Sequence, residues 1–202
     1  MIWAGVLAGG GFAAGAIALF SVGPSGIALS ALALGLGLGG VASLSTGPAG
    51  FGYLAAVGAV AAALVLLGGR VGWLDWGNGL LGEGLVADRP RVFGERSLRA
   101  ILGAVGLFTA RLLSGHLAAG TVATQGPGFA CLFVFEVGLI RVGTGRGPAD
   151  LGLGGMCAGM GAAGFLLLSA PQSALLAAIL AAAIPALALV ALSRSRPWET
   201  TT

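Results

Sequence analysis

The chain has 202 residues, of which 57% are hydrophobic and only 8% are charged, and its formal net charge is +3. Soluble domains carry about 25% charged residues, so this composition excludes a soluble globule and indicates an all-α polytopic membrane protein. The basic residues are scattered, so we expect no nucleic-acid partner. One histidine and two cysteines form no ligand cluster, so we also expect no metal and no cofactor.

Three apolar segments open the chain, at about residues 2–20, 25–45 and 50–69, and they are separated by turn sequences around Pro24 and Pro48. Each has about 20 residues, the length that crosses a hydrocarbon core of about 30 Å as a helix. The chain contains 39 glycines, many of them in apolar segments. Small residues let helices approach closely in lipid, so the glycines predict tightly packed membrane helices.

A polar connection follows over residues 70–96, with Trp73 and Trp76 beside its charged residues as in an interfacial belt. We expect a single integral membrane domain over 1–202. It divides into N-terminal helices (1–69), this connection, a helical hairpin (97–193) and a tail (194–202).

Two long apolar blocks, 97–142 and 150–193, make up the hairpin, and the turn-like residues 143–150 lie between them. Each block is long enough for two perpendicular spans. One interpretation is therefore four ordinary helices, with breaks at 126–128 and 169–171. The other is a hairpin of two long, strongly tilted helices joined at 143–150. This second interpretation is the predicted architecture.

The polar residues inside these blocks are the candidate site, because charged groups in lipid are costly and usually functional. Arg111 lies about 14 residues into its block, which predicts a position near mid-membrane. His116 follows five residues later, and histidine ordinarily exchanges protons in the physiological range, so the two form a possible proton path. Glu136 is either part of that path or the partner of an interfacial ion pair with Arg141. Gln172 is the last polar candidate.

The stretch from Thr109 to Leu117, with Arg111 and the run Ser114-Gly115-His116, resembles subunit a of the F-type ATP synthase, as found in mitochondria. The family places its essential Arg nine residues before the His, a position that is Leu107 here, so Arg111 is the substitute. The resemblance implies a hairpin of two long helices and a stator subunit that forms proton half-channels against a c-ring, without a self-contained catalytic site.

On this resemblance Arg111 separates the half-channels, His116 relays protons and Gln172 bonds near the Arg. Gly155, Gly159, Gly161 and Gly164 would allow close approach to the ring. The implied partners are the c-ring, other subunits of a large membrane complex, and lipids. The implied location is the mitochondrial inner membrane, or the bacterial inner membrane.

Two alternatives stay open. The segments around Ser21-x-x-Pro24 and 58–67 resemble membrane-arm subunit J of respiratory complex I. Gly115-His116 and residues 120–124 faintly resemble a small glycerol-3-phosphate-type acyltransferase of the membrane. The partners found after purification in mild detergent discriminate among the three.

Overall fold

The computed structural model of the chain describes residues 2–21, 23–70, 95–117, 122–144 and 148–170, and these residues form helices without any strand. The helices are α1 (Ile2–Phe20), α2 (Gly23–Thr46), α3 (Pro48–Arg70), α4 (Glu95–Leu117), α5 (Val122–Thr144) and α6 (Pro148–Ser169). All 6 are long and apolar enough to cross a membrane. The chain is therefore a membrane-embedded helical protein.

The first three helices confirm the predicted N-terminal segments, with bounds that differ by at most two residues. The turn between α2 and α3 is tight because Gly47 adopts a positive φ of 66°, which glycine reaches without steric penalty. Its amide donates to the Ser43 carbonyl oxygen at 3.0 Å, which ends α2. Pro48 then begins α3, a position where a missing N–H costs no hydrogen bond.

The prediction of one long helix over 97–142 is wrong, because α4 ends at Leu117 and α5 begins at Val122. The Thr109 hydroxyl lies 2.8 Å from Glu136 Oε1, 27 residues later in the chain. A continuous helix would separate these residues by about 40 Å. The two helices instead pack against each other antiparallel, as the alternative of ordinary helices requires.

The expected break at 126–128 is also wrong, since Pro127 lies inside α5. It is the sixth residue of that helix, so its missing N–H removes only one hydrogen bond near the N-terminus, and membrane helices tolerate such a loss. The predicted turn 143–150 is shorter than expected, because α5 runs through Thr144 and α6 starts at Pro148. α6 ends at Ser169, where the interpretation with ordinary helices places a break.

Four helices form the centre of the described bundle: α1 packs on α2 and α5, and α6 packs on α5 and α2. α3 lies against α2, and α4 lies against α5. α1 and α5 run in the same direction, because Gly11 approaches Ala130 and Gly15 approaches Phe133. The C-terminal ends of α1 and α5 and the N-terminal ends of α4 and α6 therefore lie at the same end of the bundle. These four termini carry most of the buried charge of the described helices.

Glycine seams set the spacing of the helix pairs, as the composition predicts. A Cβ on Gly35 of α2 would stand 2.9 Å from the Cα of Gly58 in α3. A Cβ on Gly138 of α5 would stand 2.6 Å from the Gly154 carbonyl oxygen in α6. Backbone meets backbone at both seams, so neither position has room for a side chain.

Two of the four glycines assigned to a ring-facing surface lie elsewhere, which corrects that expectation. A Cβ on Gly161 would stand 2.6 Å from the amide nitrogen of Phe135, and a Cβ on Gly164 would stand 2.9 Å from Cys131 Sγ. Both face α5 of the same chain. Gly159 is buried and Gly155 is half-buried.

Candidate functional site

Arg141, in the last turn of α5, is the largest side chain fully buried in the described bundle, with 2% of its surface exposed. Its guanidinium donates to the carbonyl oxygens of Ala18 at 2.5 Å and Ser21 at 2.8 Å. Carbonyls at a helix C-terminus lack intrahelical partners and carry partial negative charge. Arg141 therefore caps the end of α1 while remaining part of α5.

Asp150, in the first turn of α6, balances this charge. Its Oδ1 accepts from Arg141 Nε at 3.1 Å and from Arg141 Nη2 at 2.5 Å. Its Oδ2 accepts from Arg99 Nη2 of α4 at 2.9 Å. Arg99 is 4% exposed. We call Arg99, Arg141 and Asp150 the charged cluster, and it joins α1, α4, α5 and α6 at one end of the bundle.

Glu136 lies deeper in the membrane, five residues or about 7.5 Å before Arg141 along α5. It is half-buried and accepts a hydrogen bond from the Thr109 hydroxyl of α4 at 2.8 Å. The expected ion pair between Glu136 and Arg141 does not form. Arg141 pairs with Asp150 instead, because the five-residue separation turns the two side chains about 140° apart around α5. Glu136 is thus a carboxyl group near mid-membrane whose partner is a neutral hydroxyl.

Arg111 lies on the exposed side of α4. It stands two residues after Thr109, about 200° around the helix, and therefore points away from Glu136. The sequence predicts a position near mid-membrane for Arg111, where its side chain cannot easily reach an interface. Since α4 ends at Leu117, Arg111 is about 9 Å from the helix end, within reach of an interface for a side chain that extends along the helix.

His116 lies in the last turn of α4 and is exposed. It stands seven residues after Thr109, which is about 10.5 Å along the axis and within about 20° of the same side. His116 therefore lies on nearly the same side of α4 as Thr109, whereas Arg111 lies on the opposite side. The predicted pairing of Arg111 with His116 stays a prediction, and Gln172 lies outside the described residues.

Reasoning from sequence missed Arg99 and Asp150 and gave Arg141 the wrong partner. A signal was present: Arg141 and Asp150 flank the predicted turn between two apolar blocks. In an antiparallel hairpin, a cation in the last turn of one helix and a carboxylate in the first turn of the next lie side by side, and both helix dipoles favour that arrangement. The contact between Thr109 and Glu136 had no such signal, because it depends on where α4 ends.

The described residues contain no group of three His, Cys, Asp or Glu side chains that could hold a metal ion. Their two cysteines, Cys131 and Cys157, are buried free thiols. The polar groups that remain can exchange protons or fix charges. Asp150 is held by two arginines, whereas Glu136 has a partner that can either donate or accept a hydrogen bond.

Comparisons of the chain with family models, with curated proteins and with solved structures found no match.

Proposed function

We propose that this chain conducts protons across its membrane and that Glu136 is the group that takes up and releases them. The observation that carries the proposal is the hydrogen bond between Glu136 and the Thr109 hydroxyl, at 2.8 Å, near the middle of two membrane-spanning helices. Ionisable groups at this depth are rare in membrane proteins, and they mark ion and proton pathways.

The two carboxyl groups of the bundle interior differ in a way that supports this role. Asp150 accepts hydrogen bonds from two arginines, so its negative charge is neutralised where it lies. Glu136 is bonded to a hydroxyl, which can donate to a carboxylate and accept from a carboxylic acid. Asp150 therefore suits a structural role, and Glu136 suits a group that changes its protonation state.

Polar groups extend from Glu136 toward both ends of the bundle. His116 lies about 10.5 Å from Thr109 in one direction along α4. The charged cluster lies about 7.5 Å from Glu136 in the other direction along α5. A proton would enter near His116, reach Glu136, and leave past the charged cluster, or follow the reverse path. Water would bridge these gaps, which are too long for direct hydrogen bonds.

The experiment is proton flux into lipid vesicles containing the full chain, or the complex with which it purifies in mild detergent. A pH-sensitive dye inside the vesicles reports the flux under an imposed membrane potential. Glu136→Gln keeps the shape but removes the exchangeable proton, so flux should fall at least tenfold. Glu95→Gln makes the same chemical change at the first residue of α4 and should leave flux unchanged. Equal flux in Glu136→Gln and wild type would refute the proposal, as would a wild-type flux no faster than that of empty vesicles.

A more specific form of the proposal is the proton-conducting stator subunit of a rotary ATP synthase. The exposed position of Arg111 favours it, because a guanidinium on the outer side of α4 is available to a carboxylate of a neighbouring ring. The long-helix hairpin no longer supports it. Co-purification of a ring and a catalytic head would favour the stator. Iron–sulfur and quinone-site subunits would favour the alternative of a complex I membrane arm, and acyl transfer by the isolated chain would favour the enzyme.

A further inference from the structure

The Thr109 hydroxyl has one proton and two acceptors within reach. Its Oγ1 lies 3.0 Å from the Gly106 carbonyl oxygen, one turn earlier in α4. It also lies 2.8 Å from Glu136 Oε1, on α5. A hydroxyl has a single O–H donor but can accept as well. Both short distances are satisfied by well-aligned hydrogen bonds only if a second proton is present between these oxygens.

That second proton can come only from the carboxyl group. When Glu136 is protonated, its O–H donates to Thr109 Oγ1, and the Thr109 hydroxyl donates to the Gly106 carbonyl. When Glu136 is ionised, the Thr109 hydroxyl turns and donates to the carboxylate, because hydrogen bonds to charged acceptors are the stronger ones. The Gly106 carbonyl keeps its helical acceptor role toward the backbone, so little opposes the turn.

We infer that Thr109 is a hydrogen-bond switch that reverses its direction of donation with each protonation and deprotonation of Glu136. The inference rests on the proposed function of Glu136 and adds the residue that positions its proton. The reversal means that the carboxyl group has a hydrogen-bond partner in both of its states. It would therefore not lose its partner in either half of a transport cycle.

The other charged or titratable groups of the described helices packed around Glu136 stand apart from this pair. On α4 these are Glu95, Arg96, Arg99 and His116, toward the two ends of the helix, and Arg111, on the far side. On α5 they are Cys131 and Arg141, and on α6 they are Asp150 and Cys157. The sequence of α1 contains no Asp, Glu, Arg, Lys, His or Cys. Arg99 and Arg141 both bond to Asp150, so the response to protonation of Glu136 is expected at Thr109 first.

Infrared difference spectroscopy of the full chain in lipid nanodiscs tests the switch without relying on transport. The difference between acidic and basic pH shows the C=O stretch of protonated carboxyl groups, and the band lost in Glu136→Gln belongs to Glu136. Thr109→Val removes the hydroxyl with little change of shape, so the band should move to higher wavenumber. Thr109→Ser restores the hydroxyl and should return the band to its wild-type position.

An unmoved band in Thr109→Val, or a band that Thr109→Ser leaves displaced, would overturn the inference. So would the absence of any band that Glu136→Gln removes. Thr109→Ala provides a second hydroxyl-free variant should the valine variant fail to fold. The inference and the proposed function can be refuted separately. If the band moves as expected but the chain shows no proton flux, the switch stands and proton conduction is refuted.

Discussion

Removing the carboxylate of Asp150 tests whether the charged cluster holds the bundle together. In Asp150→Ala, Arg141 keeps its two carbonyl acceptors at the end of α1 but loses the bonds from its Nε and Nη2 to Oδ1. Arg99 loses its bond to Oδ2. The result is two guanidinium groups, 2% and 4% exposed, without their shared counter-charge.

The expected loss follows from that geometry. Removing one partner of a buried ion pair destabilises proteins by about 3–5 kcal/mol. The Asp150 side chain retains 18% exposure, and two of the acceptors of Arg141 remain, so the lower end applies. We expect about 3 kcal/mol, a change of about a hundredfold in the unfolding equilibrium constant. Unfolding of the purified chain in mixed micelles by added dodecyl sulfate, followed by circular dichroism, measures it.

A double-mutant cycle provides the control for this loss. Arg99→Met removes one of the two cations and keeps a long apolar side chain. Asp150→Ala should therefore be less damaging in that background, with a coupling free energy of about 1 kcal/mol or more. Additive losses, or an Asp150→Ala loss below about 1 kcal/mol, would show that the cluster contributes little and that the apolar seams hold these helices.

Two further predictions concern packing and the exposed charge. Gly138→Ala places a methyl group against the backbone of α6 and should destabilise the bundle by about 1–3 kcal/mol in the same unfolding assay. Gly143→Ala is the matched control in the same helix, because a Cβ there has nothing within 4 Å, and it should be neutral or slightly stabilising. Equal losses of stability in the two variants would show that the close approach at Gly138 does not matter for stability. Arg111→Ala should leave the bundle at least as stable, because an exposed guanidinium on a membrane-spanning helix is costly rather than stabilising, yet abolish coupled proton transport if the stator proposal holds. Normal coupled transport in that variant would leave the stator proposal without its central residue.

The sequence was sufficient to predict the first three helices because each one ends at its own local signal. Gly47 and Pro48 terminate α2 and begin α3 through backbone properties that need no tertiary contact. The later helices lacked a comparable signal. Pro127, the strongest helix-breaking residue of the block 97–142, lies inside α5. Proline near the N-terminus of a helix removes few hydrogen bonds, so the residue type alone did not give the position of the break.

For the candidate site, the sequence singled out Glu136 but neither its partner nor the partners of Arg141. Glu136 stood out because a carboxyl group within an apolar segment is costly, and it lies near the middle of the candidate span Gly126–Thr144. Its partner could not be predicted, since the choice between Arg141 and Thr109 depends on where the chain turns between α4 and α5. The pairing of Arg141 with Asp150 follows from the turn between α5 and α6, which was predicted.

The two sides of α4 explain how one helix can serve two different environments. Thr109 and Gly106 face α5, and a Cβ on Gly106 would meet Glu136 Oε2 at 3.5 Å. The glycine thus leaves room for the carboxyl group beside the hydroxyl, and a large side chain there would displace the carboxyl. Arg111, two residues later, is carried about 200° around the helix and becomes exposed. The helical period alone therefore separates Thr109, the hydrogen-bond partner of Glu136 inside the bundle, from the fixed charge of Arg111 outside it. Under the stator proposal both sides of α4 would have a role, whereas a chain that conducts protons by itself would need only the side that faces Glu136.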